Sequence, residues 1–473
     1  MIHEKSYTPH WVEAKLKEVG ASSYDLAEKM VYAFTLLEHL SLKGLQFIFK
    51  GGTCLAMMTD QFHRFSKDID ILMPEEPANL SKVFDAIVAD SPFTRWEESI
   101  RRRDEFQVPK KHFKFYYVEG KPMGMSEKPI LLDIIFVENT YPKTQRIKLK
   151  STLLVTEEPH TEIEAPTFES LAGDKLTAFA CNTIGIPIGK NKELEIAKQL
   201  FDLGMLHGRI FSTEVVRSSF LQTAAMCITA YHKPYNPQDV YDDILSVAFT
   251  MAMNGKHNKP LFDEIKRGIS GLADYLSRGT KFGYEAATIA AAKVAYLVAC
   301  LMKGKEMETV AWSIDIQGDY KKRQIEHPEY GLLNKELKKR NPEAWLYWLH
   351  AVAVLAEEPT VLAEAVNGEL AARGQALPMT ITSVPEPPNR STVNDLAFIV
   401  SGRPTIVSGV SGSEPLATAV QQALNQTGNS GRPLDQWLVK LGIINLEISK
   451  NIDSFQFPAD AKLFVSLKSG AGG

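Results

Sequence analysis

The segment Lys67-Asp68-Ile69-Asp70-Ile71-Leu72 constrains the fold more than any other stretch of the chain. Side chains alternate between faces along a strand, so Asp68 and Asp70 share one face while Ile69 and Ile71 share the other. A chain written this way needs a sheet with one face sealed in a core and the other open at a polar site. Two adjacent carboxylates repel unless a cation lies between them. Hard oxygen ligands of this kind suit Mg²⁺, which keeps waters and takes its remaining ligands from substrate phosphates.

The residues just upstream supply a place for a phosphate. Residues 46–49 read as a short strand, Gly51-Gly52-Thr53 as a turn, and residues 53–59 as the start of a helix with Thr53 at its N-cap. A strand that delivers Lys50, Gly51, Gly52 and Thr53 into a helix sets free backbone N–H groups at the positive end of the helix dipole. The two glycines permit close approach, and the Thr53 hydroxyl can reach a phosphate oxygen or a metal-bound water. By itself such a turn is far more often an ordinary loop; its weight comes from the carboxylates that follow. A third acid, Asp133, stands inside Leu131-Leu132-Asp133-Ile134-Ile135. It reads either as a partner on an adjacent strand or as an acid at a solvent-facing strand position.

Around these motifs the periodicities outline a mixed α/β region. Residues 24–42 carry Leu26, Met30, Val31, Phe34, Leu37 and Leu40 on one helical face, and strands are expected at 69–72, 114–118, 130–137 and 153–156. From about residue 167 the pattern is helical, over 168–182, 193–207, 284–302 and 342–358. Residues 374–393 hold Pro378, Pro385, Pro387 and Pro388, the composition of an extended linker. Beyond it come strands at 396–401 and 405–408, a helix at 414–426, and strands at 437–441, 446–448 and 462–467. That order is the α+β order of a β-grasp fold. The expected division is an α/β domain over 1–166, an all-α domain over 167–373, a linker over 374–393 and a β-grasp domain over 394–473.

A chain of 473 residues exceeds what one core usually holds. With 44% apolar and 23% charged residues it is not composed like a disordered or fibrous protein. A formal charge of −4 gives phosphates no long-range attraction, so a nucleic acid would have to be held by a local patch. Cys54, Cys181, Cys227 and Cys300 lack metal-ligand spacing and read as reduced thiols. The first twenty residues carry charges throughout instead of the apolar core of a secretion signal. Residues 286–302, broken by Lys293, fall short of a membrane span, so no membrane partner and a cytoplasmic location are expected.

Together, Gly51, Gly52 and Thr53 with Arg64, Ser66, Asp68 and Asp70 resemble the motif of the AbiEii/AbiGii-type nucleotidyltransferases, toxins of bacterial abortive-infection toxin–antitoxin systems. The resemblance covers about residues 26–206. Asp174-Lys175 resembles a later acid-lysine element, and Lys198-Gln199-Leu200-Phe201-Asp202-Leu203 a basic-Asp-x-x-Asp-Leu element, with Gln199 where an acid is usual. The resemblance implies a nucleotidyltransferase fold and transfer of a nucleotide from an NTP. Lys50, Gly51, Gly52, Thr53, Arg64 and Ser66 would bind the nucleotide, and Asp68, Asp70 and Asp133 would hold two Mg²⁺ ions. Asp133 would also accept the attacking hydroxyl's proton, and Lys175 or Lys198 would offset charge on the leaving pyrophosphate. Lys198 and Asp202, at i and i+4, read equally as a surface ion pair worth a few tenths of a kcal/mol. An antitoxin partner and a setting in antiphage defence are implied as well.

The acceptor is open between RNA, transfer RNA included, and protein. Arg101-Arg102-Arg103, Lys110, Lys111 and Lys114, interleaved with Phe106, His112, Phe113, Phe115 and Tyr116, read as an RNA surface or as a solvated loop beside a strand. The segment 394–473 resembles bacterial ubiquitin-like proteins with a diglycine tail, here Gly472-Gly473. That resemblance implies an E1-like activating enzyme, a conjugation target and a deconjugating protease; the other reading is an interaction module with an incidental tail. For the whole chain the alternatives are an active toxin-type enzyme and a modifier with an inactive nucleotide-binding head.

Overall fold

The computed structural model describes residues 1–20, 23–59, 62–99, 109–120, 126–310, 312, 322–357, 394–400, 403–441, 444–452, 455 and 462–467. They divide into two units, Met1–Leu377 and Pro378–Gly473. Arg101, Arg102, Arg103, Phe106, the linker residues 374–393 and Gly472-Gly473 lie outside the described residues.

The first unit is built on a five-stranded sheet of β1 (Ile48–Lys50), β2 (Ile69–Met73), β3 (Phe93–Glu98), β4 (Lys110–Val118) and β5 (Glu127–Phe136), in the order β1-β2-β5-β4-β3. β2 and β5 run parallel, and the other pairs are antiparallel. Their core-facing residues Phe49, Ile69, Ile71, Phe115, Leu132 and Ile134 pack with Phe34 and Leu37 of the helix Tyr24–Leu42 and Phe84 of the helix Leu80–Ala89. That long helix starts where the Ser23 hydroxyl accepts the Leu26 N–H, an ordinary N-cap. A ribbon of β6 (Thr144–Lys148) and β7 (Glu162–Pro166) follows.

Three strands escape the sequence patterns and one expected strand does not form. β3 reads Phe93-Thr94-Arg95-Trp96-Glu97-Glu98, and its pairing with β4 is laced by the ion pair of Glu97 with Lys114 and by Arg95 over the Tyr116 ring instead of by apolar alternation. β6 and β7 are likewise charged. Of residues 153–156, only Thr156 makes a bridge, to Ile2. The Val155 backbone is bound instead to the N-terminal segment, its N–H donating to the Ser6 hydroxyl and its carbonyl accepting from His3.

Past Pro166 the first unit is helical and has a second core. The helices Glu193–Leu206, Thr213–Ala230, Pro237–Ala252, Lys259–Leu272 and Pro342–Leu355 surround Tyr284–Lys303, and Phe168–Phe179 packs on the first three of them. Tyr284–Lys303 runs to 20 residues, longer than the sequence pattern suggested, and is long and apolar enough to cross a membrane by length and composition. In this fold 72% of its apolar window is buried inside the protein, which accounts for the apolar run.

In the second unit β8 (Asn394–Val400) and β9 (Arg403–Val410) form an antiparallel pair, the helix Leu416–Gln426 follows, and β10 (Trp437–Leu441), β11 (Ile444–Asn445) and β12 (Lys462–Leu467) complete a sheet in the order β11-β10-β12-β8-β9. β12 lies at the centre, parallel to β8. Phe398, Val407, Val420, Leu424, Val439 and Leu463 form its core. The helix begins at Leu416, two residues later than its sequence suggests, because Pro415 takes the extended N-cap position. The strand expected at 446–448 is replaced by the two residues of β11 just before it.

Candidate active site

The register of the first sheet sets four polar residues in one row. Lys50 on β1 faces Asp70 on β2, Asp70 faces Asp133 on β5, and Asp133 faces His112 on β4. Ile69, Ile71, Leu132 and Ile134 are fully buried in the core, so alternation turns Asp70 and Asp133 to the opposite face. Burial pushes the Asp70 carboxyl up to about 6, the Asp133 carboxylate adds to this, and Lys50 opposes it. A carboxylate in that state gains from any cation set beside it.

The glycine turn fits around this row. The helix begins at Gly51, not at Thr53, and its N-cap Lys50 provides no side-chain hydrogen bond to the first turn. Gly51 has φ +82°, and a Cβ there would fall 2.3 Å from Asp70 Oδ2. A Cβ on Gly52 would fall 2.5 Å from Arg64 Nη2 and 2.9 Å from Ser66 Oγ. The two glycines thus let a carboxylate, a guanidinium and a hydroxyl crowd the start of the helix Gly51–Met58. Thr53 does not cap this helix. It is fully buried, and its hydroxyl donates to the Asp68 carbonyl at 2.6 Å, tying the helix to the start of β2.

Arg64, Lys175 and Asp202 form a buried ion cluster at the junction with the helical half. Arg64 donates from Nε and Nη2 to the two Asp202 oxygens, each at 2.6 Å, and Lys175 Nζ donates to Asp202 Oδ2 at 2.6 Å and to Gln199 Oε1 at 3.3 Å. Burial resists ionisation of Asp202, but Arg64 and Lys175 outweigh it and hold the carboxyl below its usual range. Lys198 does not pair with Asp202. Its ammonium lies 4.4 Å from the centre of the Tyr275 ring and 3.9 Å from Glu195. Burial, with Arg64 nearby, lowers its pKa.

Lys50 reaches across to Asp174 at 3.1 Å, and the Tyr141 hydroxyl donates to the same carboxylate at 3.1 Å. Burial works against the Lys50 charge, while Asp174 and Asp70 more than restore it. At the other end of the row, His112 Nδ1 lies 2.7 Å from Asp133 Oδ1 and Lys110 Nζ 3.6 Å from Oδ2. Among the described residues no three His, Cys, Asp or Glu side chains converge at metal-ligand spacing.

The sequence motifs therefore assemble in two groups. Lys50, Gly51, Asp70 and Asp133 line the row, with Asp68 at the entry to β2, and Gly52, Arg64, Ser66, Lys175 and Asp202 gather beside it. Asp174, Tyr141, Lys110 and His112 join the site without having been assigned to it from sequence. Asp174 stood next to Lys175 in a motif, but its partner Lys50 is 124 residues away. His112 had the strand alternation to mark its face, but only the register with β5 brings it to Asp133.

The family model for nucleotidyl transferase AbiEii toxin, Type IV TA system, matches residues 35–274. The model for a family of unknown function, DUF2604, matches residues 389–473. Among solved structures, a putative nucleotidyltransferase from H. pylori is 15% identical over 59% of this chain and 96% of its own, with a TM-score of 0.35. JHP933 from Helicobacter pylori is 16% identical over 60% of this chain and 96% of its own, also at 0.35. No curated protein matches the chain.

Proposed function

The chain belongs to the AbiEii nucleotidyltransferase family, and from that premise we propose that it transfers a nucleotidyl group from an NTP to an RNA acceptor at the face carrying Asp70 and Asp133. The observation that carries this reading is their direct pairing on parallel strands, with Asp70 pushed up to about 6 beside the glycine turn. Carboxylates in this state fit Mg²⁺, which is commonly held by one or two protein acids and otherwise by phosphates and water. Asp68 and Asp70 would hold it, with Asp133 as a further ligand. When bound, it would polarise the phosphates and lower the pKa of the attacking hydroxyl.

The chain's own residues supply the rest. The uncapped amides at Gly51 and Gly52 bind phosphate oxygens, and Lys50, held by Asp174, which also accepts from the Tyr141 hydroxyl, offsets their charge. Asp133 takes the proton of the acceptor hydroxyl. The hydroxyl oxygen bonds to the α-phosphorus, the bond to the bridging oxygen breaks, and pyrophosphate leaves with the electron pair. Lys198 fits the leaving group better than Lys175, since Lys175 is occupied by Asp202. Arg64, Lys175 and Asp202 then act by fixing the glycine turn and Ser66. RNA is favoured over protein because Lys110, His112, Lys114 and Tyr116 alternate onto one face of β4 beside Asp133.

The same proposal includes three units, 1–166, 167–373 and 394–473, joined to the last by the linker 374–393. The second unit's mixed sheet, with β8 and β12 parallel at its centre and a helix after the first hairpin, supports a ubiquitin-like β-grasp reading. An E1-like enzyme acting at Gly472-Gly473, a conjugation target, a protease, an antitoxin, a cytoplasmic location and a role in antiphage defence follow as parts of that reading. The experiment is to incubate the protein with each NTP labelled at the α-phosphate, Mg²⁺ and total RNA. Label in RNA, absent with Asp70→Ala, supports the proposal. Label in protein alone moves the acceptor, and no label with any NTP overturns it.

A further inference from the structure

We propose that His112 is a positioning residue for nucleotidyl transfer, acting through Asp133; this rests on the function proposed above. The pairing of β4 with β5 sets the two residues opposite each other, and His112 Nδ1 lies 2.7 Å from Asp133 Oδ1. The imidazole is 8% exposed, so it has little freedom to turn away. The two oxygens of Asp133 have unequal partners. Oδ1 is within hydrogen-bond distance of the ring, whereas Lys110 stands 3.6 Å from Oδ2 on a flexible, partly exposed stem. His112 therefore occupies one oxygen and fixes the carboxylate plane, leaving Oδ2 as the oxygen offered to the acceptor hydroxyl.

This matters because proton acceptance requires the reacting oxygens to be held within a fraction of an ångström. A carboxylate on a strand can otherwise turn freely about its terminal bond. Outer groups that hydrogen-bond a reactive carboxylate or ligand commonly change activity 10- to 100-fold on removal, roughly the size of effect expected here. β2 and β5 stand between the strand of His112 and that of Lys50, so nucleotide binding should not depend on the ring.

The test uses the full chain with NTP labelled at the α-phosphate, Mg²⁺ and total RNA. His112→Ala is expected to lower kcat roughly 10- to 100-fold, with KM for the nucleotide unchanged within about twofold. His112→Asn, whose amide can donate from nearly the place of Nδ1, is expected to recover most of that loss. Circular dichroism and melting temperature identify folded variants, and the Asn variant carries the decision if the Ala variant fails to fold. A wild-type kcat for folded His112→Ala, or a His112→Asn enzyme that is folded and as slow as the Ala variant, overturns the proposal while leaving nucleotidyl transfer standing. Absence of transfer by the wild type overturns both, so the two failures are distinguishable.

Discussion

Gly51 lies under Asp70 so closely that a Cβ on the glycine would come within 2.3 Å of the carboxylate oxygen Oδ2. Its φ of +82° is one that side-chain-bearing residues rarely adopt. Both facts make the position specific for glycine, one through the site and one through the backbone. Gly51→Ala is therefore expected to lose about 1–3 kcal/mol of stability from strain. It should also lose transfer by about 100-fold as Asp70 is displaced. Denaturant melts and the labelled-nucleotide assay read the two effects separately. Wild-type activity in this variant would mean that Asp70 has room the structure does not give it.

Asp70 and Asp133 face each other, and burial penalises the ionised form of Asp70. Asp70→Asn is expected to abolish transfer yet stabilise the protein in chelator at neutral pH by about 1–2 kcal/mol, because one buried charge is removed from a repulsive pair. Adding Mg²⁺ should raise the melting temperature of the wild type and not that of the variant. Destabilisation by Asp70→Asn in chelator would show that Lys50 already satisfies the carboxylate.

How much of this was legible beforehand differs between parts of the site. Asp68, Asp70, Gly51 and Gly52 lie close in sequence, so alternation and turn chemistry were enough to group them. Arg64 was visible as a motif residue, but its bidentate contact with Asp202 spans 138 residues and depends on how the helical half packs. The i, i+4 spacing of Lys198 and Asp202 suggested a pair. It failed because Arg64 and Lys175 both reach Asp202, and Lys198 settles over Tyr275 instead. β3 was hidden for a related reason: its face is filled by Arg95 stacked 3.5 Å from the Tyr116 ring centre and by ion pairs, which no apolar period records.

The Arg64–Asp202–Lys175 cluster gives a stability prediction with a definite pH dependence. Asp202→Asn strands two buried cations and is expected to cost roughly 3–5 kcal/mol, whereas Lys175→Met leaves the bidentate Arg64 contact and should cost less, about 2 kcal/mol. The Asp202 carboxyl is held below its usual value in the folded protein. Its contribution is thus complete above the unfolded value near 4 and is lost as pH falls through the lower folded value. The gap in stability between wild type and Asp202→Asn should be flat above about pH 5 and close in stronger acid. A gap that instead widens on acidification would mean that Asp202 is neutral in the folded state.

The two units bury separate cores, which predicts that damage to one spares the chemistry of the other. Phe398 on β8 is 1% exposed and packs with Val407, Val420 and Leu463. Truncating it to Ala removes a large buried side chain and is expected to cost about 3–5 kcal/mol. A unit of this size has little more than that to lose, since small domains are only marginally stable. The full chain carrying Phe398→Ala should then melt in two steps, with the lower one shifted down and the upper one unchanged. Its kcat and KM for nucleotidyl transfer should match the wild type, because every residue assigned to the site belongs to Met1–Leu377. A chain ending at Leu377 should behave the same way. Loss of transfer in both would mean that the second unit completes the site or controls it, and that the fusion is more than a tether.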